Sequence, residues 1–184
     1  MLQKLDAELR NLPDNFIIGI VAKSDSYNDV NIHVLDFMMN KKKSTGSYIT
    51  VSKPYVSMVD FMKRNNLNSD KIHFIDCISK TLGGRLPNAK NCDFVSSPSS
   101  LTEIGIALHK YVSESNEKNR FLHIDSLSTL SVHNDFNAVL KFVHYLTGKM
   151  RVFGLNGVMI SLHEESDKKL ISELGMFCDK IVHV

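Results

Sequence analysis

The sequence predicts an α/β fold, a three-layer αβα sandwich around a central, mostly parallel sheet. Short runs that are apolar on both faces alternate with stretches of helical period along the whole chain. Strands without a polar face belong to a sheet covered on each side, which is the parallel arrangement. The intervals between runs supply their own helices, so right-handed crossovers can be kept throughout. The 184 residues suit one well-buried core. With no internal repeat and no linker, we expect a single domain over 1–184, made of an N-terminal helix at 1–13 and a core at 14–184.

Leu2, Leu5, Leu9 and Leu12 mark the first amphipathic helix, closed by Pro13. Phe16-Ile17-Ile18-Gly19-Ile20-Val21 is the first strand, and a helix is expected from near Val30 through Met38. Gly46 opens a second strand ending at Val51, and Pro54 leads into a helix carrying Val56, Val59, Phe61 and Met62. Residues 71–76 form a third strand, and 81–97, rich in Gly, Pro and small polar residues, read as irregular. Ser99-Ser100-Leu101-Thr102-Glu103 is a capping-type start for the helix of Ile104, Leu108 and Val112. A strand at 120–125, a helix from about Phe136 to Met150, a strand at 157–162, a helix near 168–176 and a last strand at 180–184 complete the pattern.

Composition narrows the function classes. Net charge is +2, so no strong field points toward nucleic acid or a membrane surface. The run Lys41-Lys42-Lys43 reads as a solvated helix end. Cys77, Cys92 and Cys178 are odd in number and form no CxxC pair, which suits reduced thiols. No apolar run reaches the roughly 18 residues of a membrane span, and the first residues do not form a signal peptide. A cytoplasmic protein is expected.

Two segments carry a possible nucleotide chemistry. The first strand, the loop Ala22-Lys23-Ser24-Asp25-Ser26-Tyr27-Asn28-Asp29 and the helix after it stand where a phosphate-binding loop belongs. Arg120-Phe121-Leu122-His123-Ile124-Asp125-Ser126 is an apolar strand ending in an aspartate, the form of a Walker B strand.

The order of elements and four local stretches resemble the RecA-like ATPases, and within them the archaeal KaiC-like branch. The stretches are the second strand with Ser52-Lys53-Pro54, the segment Ser97-Pro98-Ser99-Ser100-Leu101-Thr102-Glu103, the strand and serine-rich turn Phe121 to Ser128, and the last strand pair. The likeness covers roughly residues 15–184. It implies a RecA-like sheet, with Asp125 and Ser126 at the Walker B position and Asp125 acting on Mg²⁺. It also implies a base after the second strand, where Ser52 and Lys53 stand, and neither is a competent base at neutral pH.

The phosphate loop departs from the family's pattern as well. Glycines let backbone N–H groups converge on phosphate, lysine reaches the β- and γ-phosphates, and a hydroxyl holds Mg²⁺. Laid on that frame, Ala22 and Tyr27 replace the glycines, Asn28 the lysine and Asp29 the hydroxyl residue. Asp25 and Asp29 also bring carboxylates where a polyphosphate would lie, and either can cap the helix and fill the anion site from within.

Other chemistry finds little support. The eight histidines make no HxxxH or HExxH spacing, and no metal site is expected. His163 and Glu164 follow the fifth strand and edge a possible pocket on the side where open α/β sheets bind ligands. Three readings result. The first is a catalytically inactive RecA/KaiC-like homologue that binds or regulates through contacts with another protein, a paralogue or a copy of itself, with no cofactor. The second is an ATPase with an unorthodox loop, in which Asp29 and Asp125 hold Mg²⁺ and bind ATP. The third is a recombinase-paralogue accessory role in DNA repair, against which the near-neutral charge weighs; nucleic acid is not the expected partner.

Overall fold

The computed structural model describes residues 1–83, 85–162 and 168–184. In chain order it runs α1 (Leu2–Arg10), β1 (Ile17–Ala22), α2 (Tyr27–Asp36), β2 (Thr45–Thr50), α3 (Tyr55–Arg64), β3 (Ile72–Asp76), β4 (Cys92–Phe94), α4 (Leu101–Glu114), β5 (Arg120–Asp125), α5 (Leu127–His133), α6 (Phe136–Phe153), β6 (Asn156–Leu162), α7 (Lys168–Leu174) and β7 (Lys180–His183). The strands form one seven-stranded sheet in the order β4-β3-β2-β5-β6-β1-β7. Every neighbouring pair is parallel.

The α/β sandwich is therefore as expected, and its two faces divide the apolar residues by alternation. Ile18, Ile20, Tyr48, Phe74, Phe121 and Ile160 pack under α1, α2 and α3. Ile17, Ile49, Ile75, Leu122, Ile124 and Met159 pack under α4 to α7. Phe121, Leu122 and Ile124 are fully buried, because the central strand β5 has no solvent side. Gly46 sits in register with Phe121, and a Cβ there would come within 2.5 Å of the ring. Gly154 ends α6 at φ 62°, the left-handed conformation glycine adopts without penalty.

Four elements differ from the sequence-based expectation. Residues 92–94 form β4, an edge strand inside the stretch read as irregular; Asn91 supports it by accepting from Tyr55 Oη at 2.9 Å and donating to the Ile72 carbonyl at 2.9 Å. Residues 127–133 form a helix rather than a serine-rich turn, because Ser126 Oγ accepts from the Thr129 N–H at 3.2 Å and so caps it. Helix α2 begins at Tyr27, three residues before Val30, and passes into a π-helical turn over Phe37–Lys41. At α4 the expected capping box is not made: Ser100 is the N-cap without a side-chain bond, and Glu103 instead accepts from the Ser96 N–H at 2.8 Å and hydroxyl at 2.7 Å.

Candidate functional site

All strands being parallel, the C-terminal ends of β1, β2, β3 and β5 share one edge of the sheet, and the expected site residues collect there. The turn from β1 to α2 is tight. The Ser26 N–H donates to the Lys23 carbonyl at 3.1 Å, the Ser26 hydroxyl donates to the same oxygen at 3.2 Å, and the Lys23 N–H donates to the Val184 carbonyl at 3.3 Å. Tyr27, Asn28 and Asp29 lie in the first turn of α2, while Lys23, Ser24 and Asp25 are exposed. No residue from Ala22 to Asp29 has a positive φ, the conformation a glycine-built phosphate nest uses.

The carboxylate cap expected for this turn is absent. Ser26 is the N-cap, with no side-chain cap bond, and Asp29 meets the helix dipole only as a first-turn charge. The turn is closed by the backbone and by Ser26, which already satisfy one another and leave the aspartates pointing to water.

Opposite the turn, Lys53 leaves β2 and reaches back. Its ammonium donates to Asn28 Oδ1 at 2.8 Å and lies 4.8 Å from the centre of the Phe61 ring. Partial burial pulls its pKa below the usual lysine value. The two positions the resemblance assigns to a lysine and a base are thus in direct contact, with the cation on the segment between β2 and α3 rather than on α2. Ser52, the neighbouring base position, is exposed.

Beneath this edge lies a buried polar cluster. Asp125 is 1% exposed, and the hydroxyl of Tyr48, itself fully buried on the adjacent strand β2, donates to its Oδ2. The other oxygen, Oδ1, has no protein partner. His123 Nε2 lies 2.9 Å from Asn31 Oδ1, and Asn31 Nδ2 donates to the Tyr27 carbonyl at 3.2 Å. The amide oxygen can only accept, so His123 carries its proton on Nε2 and presents a bare Nδ1. Tyr48 and His123 stack with ring centres 4.7 Å apart and 8° between planes. Burial pushes the Asp125 carboxyl up to about 7 and holds His123 down to about 3. The cluster is therefore neutral at His123, and burial favours the protonated form of Asp125.

Neighbouring polar groups are used structurally. Asp76, fully buried at the end of β3, accepts from the N–H groups of Tyr55, Ile78 and Ser79 and from the Ser79 hydroxyl. It thereby binds the start of α3 to the sheet. Ser128 Oγ meets Ser161 Oγ at 2.8 Å and accepts from the Leu162 N–H at 2.7 Å, tying α5 to β6. His163 and Glu164, the possible pocket edge, lie outside the described residues.

Sequence reasoning found Asp125 and the turn but missed Tyr48, Asn31 and the role of His123. A signal was present: tyrosine and histidine inside strands buried on both faces need polar partners there.

A family model described as a family of unknown function (DUF7504) matches residues 58–184. No curated protein matches the sequence. Among solved structures, a KaiC-like protein of the hyperthermophilic archaeon Pyrococcus horikoshii is similar with a TM-score of 0.60 at 12% identity, covering 82% of this chain and 64% of its own. The chain thus spans less than two thirds of that protein's length. An uncharacterized protein of the same organism, solved in complex with an unknown peptide, is similar with a TM-score of 0.73 at 13% identity, covering 98% of this chain and 82% of its own. At such identities the likeness is one of fold.

Proposed function

The chain belongs to the family of unknown function DUF7504, and on that premise we propose that it is a RecA/KaiC-like domain without ATPase activity, which acts as a binding or regulatory protein through contacts with another protein. The observation that carries this reading is the Tyr48 hydroxyl on the buried carboxylate of Asp125. A magnesium site needs that carboxylate ionised and open to the ion's water shell. Here a phenol from the next strand occupies one oxygen, and burial favours the protonated acid. The closed turn at Lys23–Ser26 and the absence of a base at Ser52 and Lys53 point the same way. Phosphoryl transfer depends on positioning and charge stabilisation, and this edge offers little of either. The uncharacterized neighbour's bound peptide agrees with a protein-binding role.

One observation favours a second reading, a nucleotide binder with an unorthodox loop: the Lys53 ammonium at Asn28 puts a cation near the place where the family's lysine would act. Calorimetry decides between them. At ~100 μM protein, binding of Mg-ATP tighter than about −5 kcal/mol registers. We expect no isotherm and no phosphate release. A magnesium-dependent isotherm, lost in Asp125→Asn, would refute the first reading.

A further inference from the structure

We propose that the groove between α4 and α6 is the docking site for an acidic amphipathic helix of a partner protein. The groove has a volume of about 540 Å³ and lies on the face of the sheet opposite the Tyr48–Asp125 cluster. Its floor is Gly105 and Phe142, and its walls carry Ile106, 64% exposed, and Tyr145, 41% exposed. Val152, 80% exposed, stands two turns beyond Tyr145 on the same face of α6. Together these side chains form an exposed apolar stripe that a partner can cover.

Length selects the kind of occupant. From Ala138 to Val152 the stripe runs about 21 Å along α6, the length of a helix of three to four turns. A small molecule filling the deepest part would leave Val152 in water, whereas a helix lying between α4 and α6 covers the stripe with anchors at i, i+3, i+4 and i+7. The missing side chain at Gly105 lets Tyr145 lie across α4, where a Cβ would come 3.2 Å from the ring. The Tyr145 hydroxyl donates to the Gly105 carbonyl at 3.4 Å, which holds the ring as a fixed apolar surface for the partner.

Charge selects the chemistry. Among the described residues the charged or chargeable side chains lining the groove are Lys141, Lys149 and His109, beside the phenol of Tyr145, with no carboxylate among them. Lys149 lies 5.5 Å from the ring centres of both Tyr145 and Phe153, so its ammonium is held at the rim rather than swung away. Neither lysine makes an ion pair with a carboxylate among the described residues. A helix with an apolar face edged by Glu or Asp satisfies both lysines, and a basic one meets repulsion.

The inference deepens the protein-binding reading above, and its test does not involve nucleotide. The full chain is used to select from a displayed library of random segments of ~16 residues, long enough for four helical turns. Enrichment of sequences with apolar residues at i, i+3, i+4 and i+7 and flanking carboxylates is expected. Their affinity should fall at least about tenfold on Ile106→Glu and on the pair Lys141→Glu and Lys149→Glu. These substitutions lie on exposed or partly exposed positions, and an unchanged melting temperature verifies the fold. Enrichment of basic or non-helical sequences, no enrichment, or acidic binders indifferent to Ile106→Glu would overturn the proposal. Groove binding by a chain that also binds Mg-ATP would leave this inference standing and remove the inactive-ATPase reading alone.

Discussion

Replacing Asp125 by asparagine turns the buried cluster into a measurement of its own proton. Burial lifts this carboxyl from the ordinary 3.8 to about 7, while in the unfolded chain it titrates near ~3.9. Between those values the folded chain keeps a proton that the unfolded chain has released. Stability from this group therefore falls as pH rises from about 4 through about 7, then levels off. At 1.36 kcal/mol per pH unit the gap is worth about 4 kcal/mol. His123 acts with the opposite sign. It is held down to about 3 when folded and titrates near ~6.5 when unfolded, so its contribution rises with pH from about 3 to about 6.5. In the wild type the two slopes nearly cancel between about pH 4 and 6.5. Asparagine keeps an oxygen for the Tyr48 hydroxyl but removes the titration, and so leaves the His123 slope uncovered. Urea denaturation at about pH 4.5, 6 and 8 reads this directly. The difference in stability, variant minus wild type, should grow by about 3 kcal/mol between about pH 4.5 and 8. Parallel curves for the two proteins would refute a protonated Asp125 in the folded chain.

Tyr48→Phe should cost about 1–3 kcal/mol at neutral pH, because it strands a buried carboxylate oxygen; a denaturation midpoint equal to wild type would count against the pairing. Gly46→Ala drives a methyl into the Phe121 ring and should cost about 1–3 kcal/mol, and thermal melts should show part of that loss recovered when Phe121→Leu is added. Asn28→Lys brings a second ammonium to the one already held by Asn28. At ~4 Å such a pair repels by about 1 kcal/mol in water and about 4 near a protein surface. The variant should therefore release no phosphate from Mg-ATP, and steady release in a malachite-green assay would show the turn to be more adaptable than its bonds imply.

Strands were legible where burial on both faces leaves an unbroken apolar run, as in residues 17–22 and 120–125. Strand β4 was not, because three residues at a sheet edge with one buried side chain leave no periodic signal. The start of α2 was misplaced because polar residues from Tyr27 to Asp29 hide a helical turn that faces solvent. Asp125 stood out as an aspartate at a strand end. Its partner could not, since Tyr48 lies 77 residues away and meets it only through the pairing of β2 with β5. The contact between Lys53 and Asn28 was hidden for the same reason: two positions that look like separate losses in the sequence become neighbours once β2 and α2 share an edge.

The placement of β1 between β6 and β7 has a consequence for how the chain comes together in time. Strand β1 pairs with Gly157 to Leu162 on one side and Lys180 to His183 on the other, both made long after it. Until those residues leave the ribosome, Ile17, Ile18, Ile20 and Val21 have no ladder to join. The pairs β2 with β3 and β3 with β4 close over far shorter stretches of chain and can assemble earlier. Loop closure over such a span makes the final docking slow and leaves an apolar strand exposed to association meanwhile. Nascent chains halted before residue 156 should therefore protect amides of residues 46–50 from exchange while those of residues 17–22 remain open.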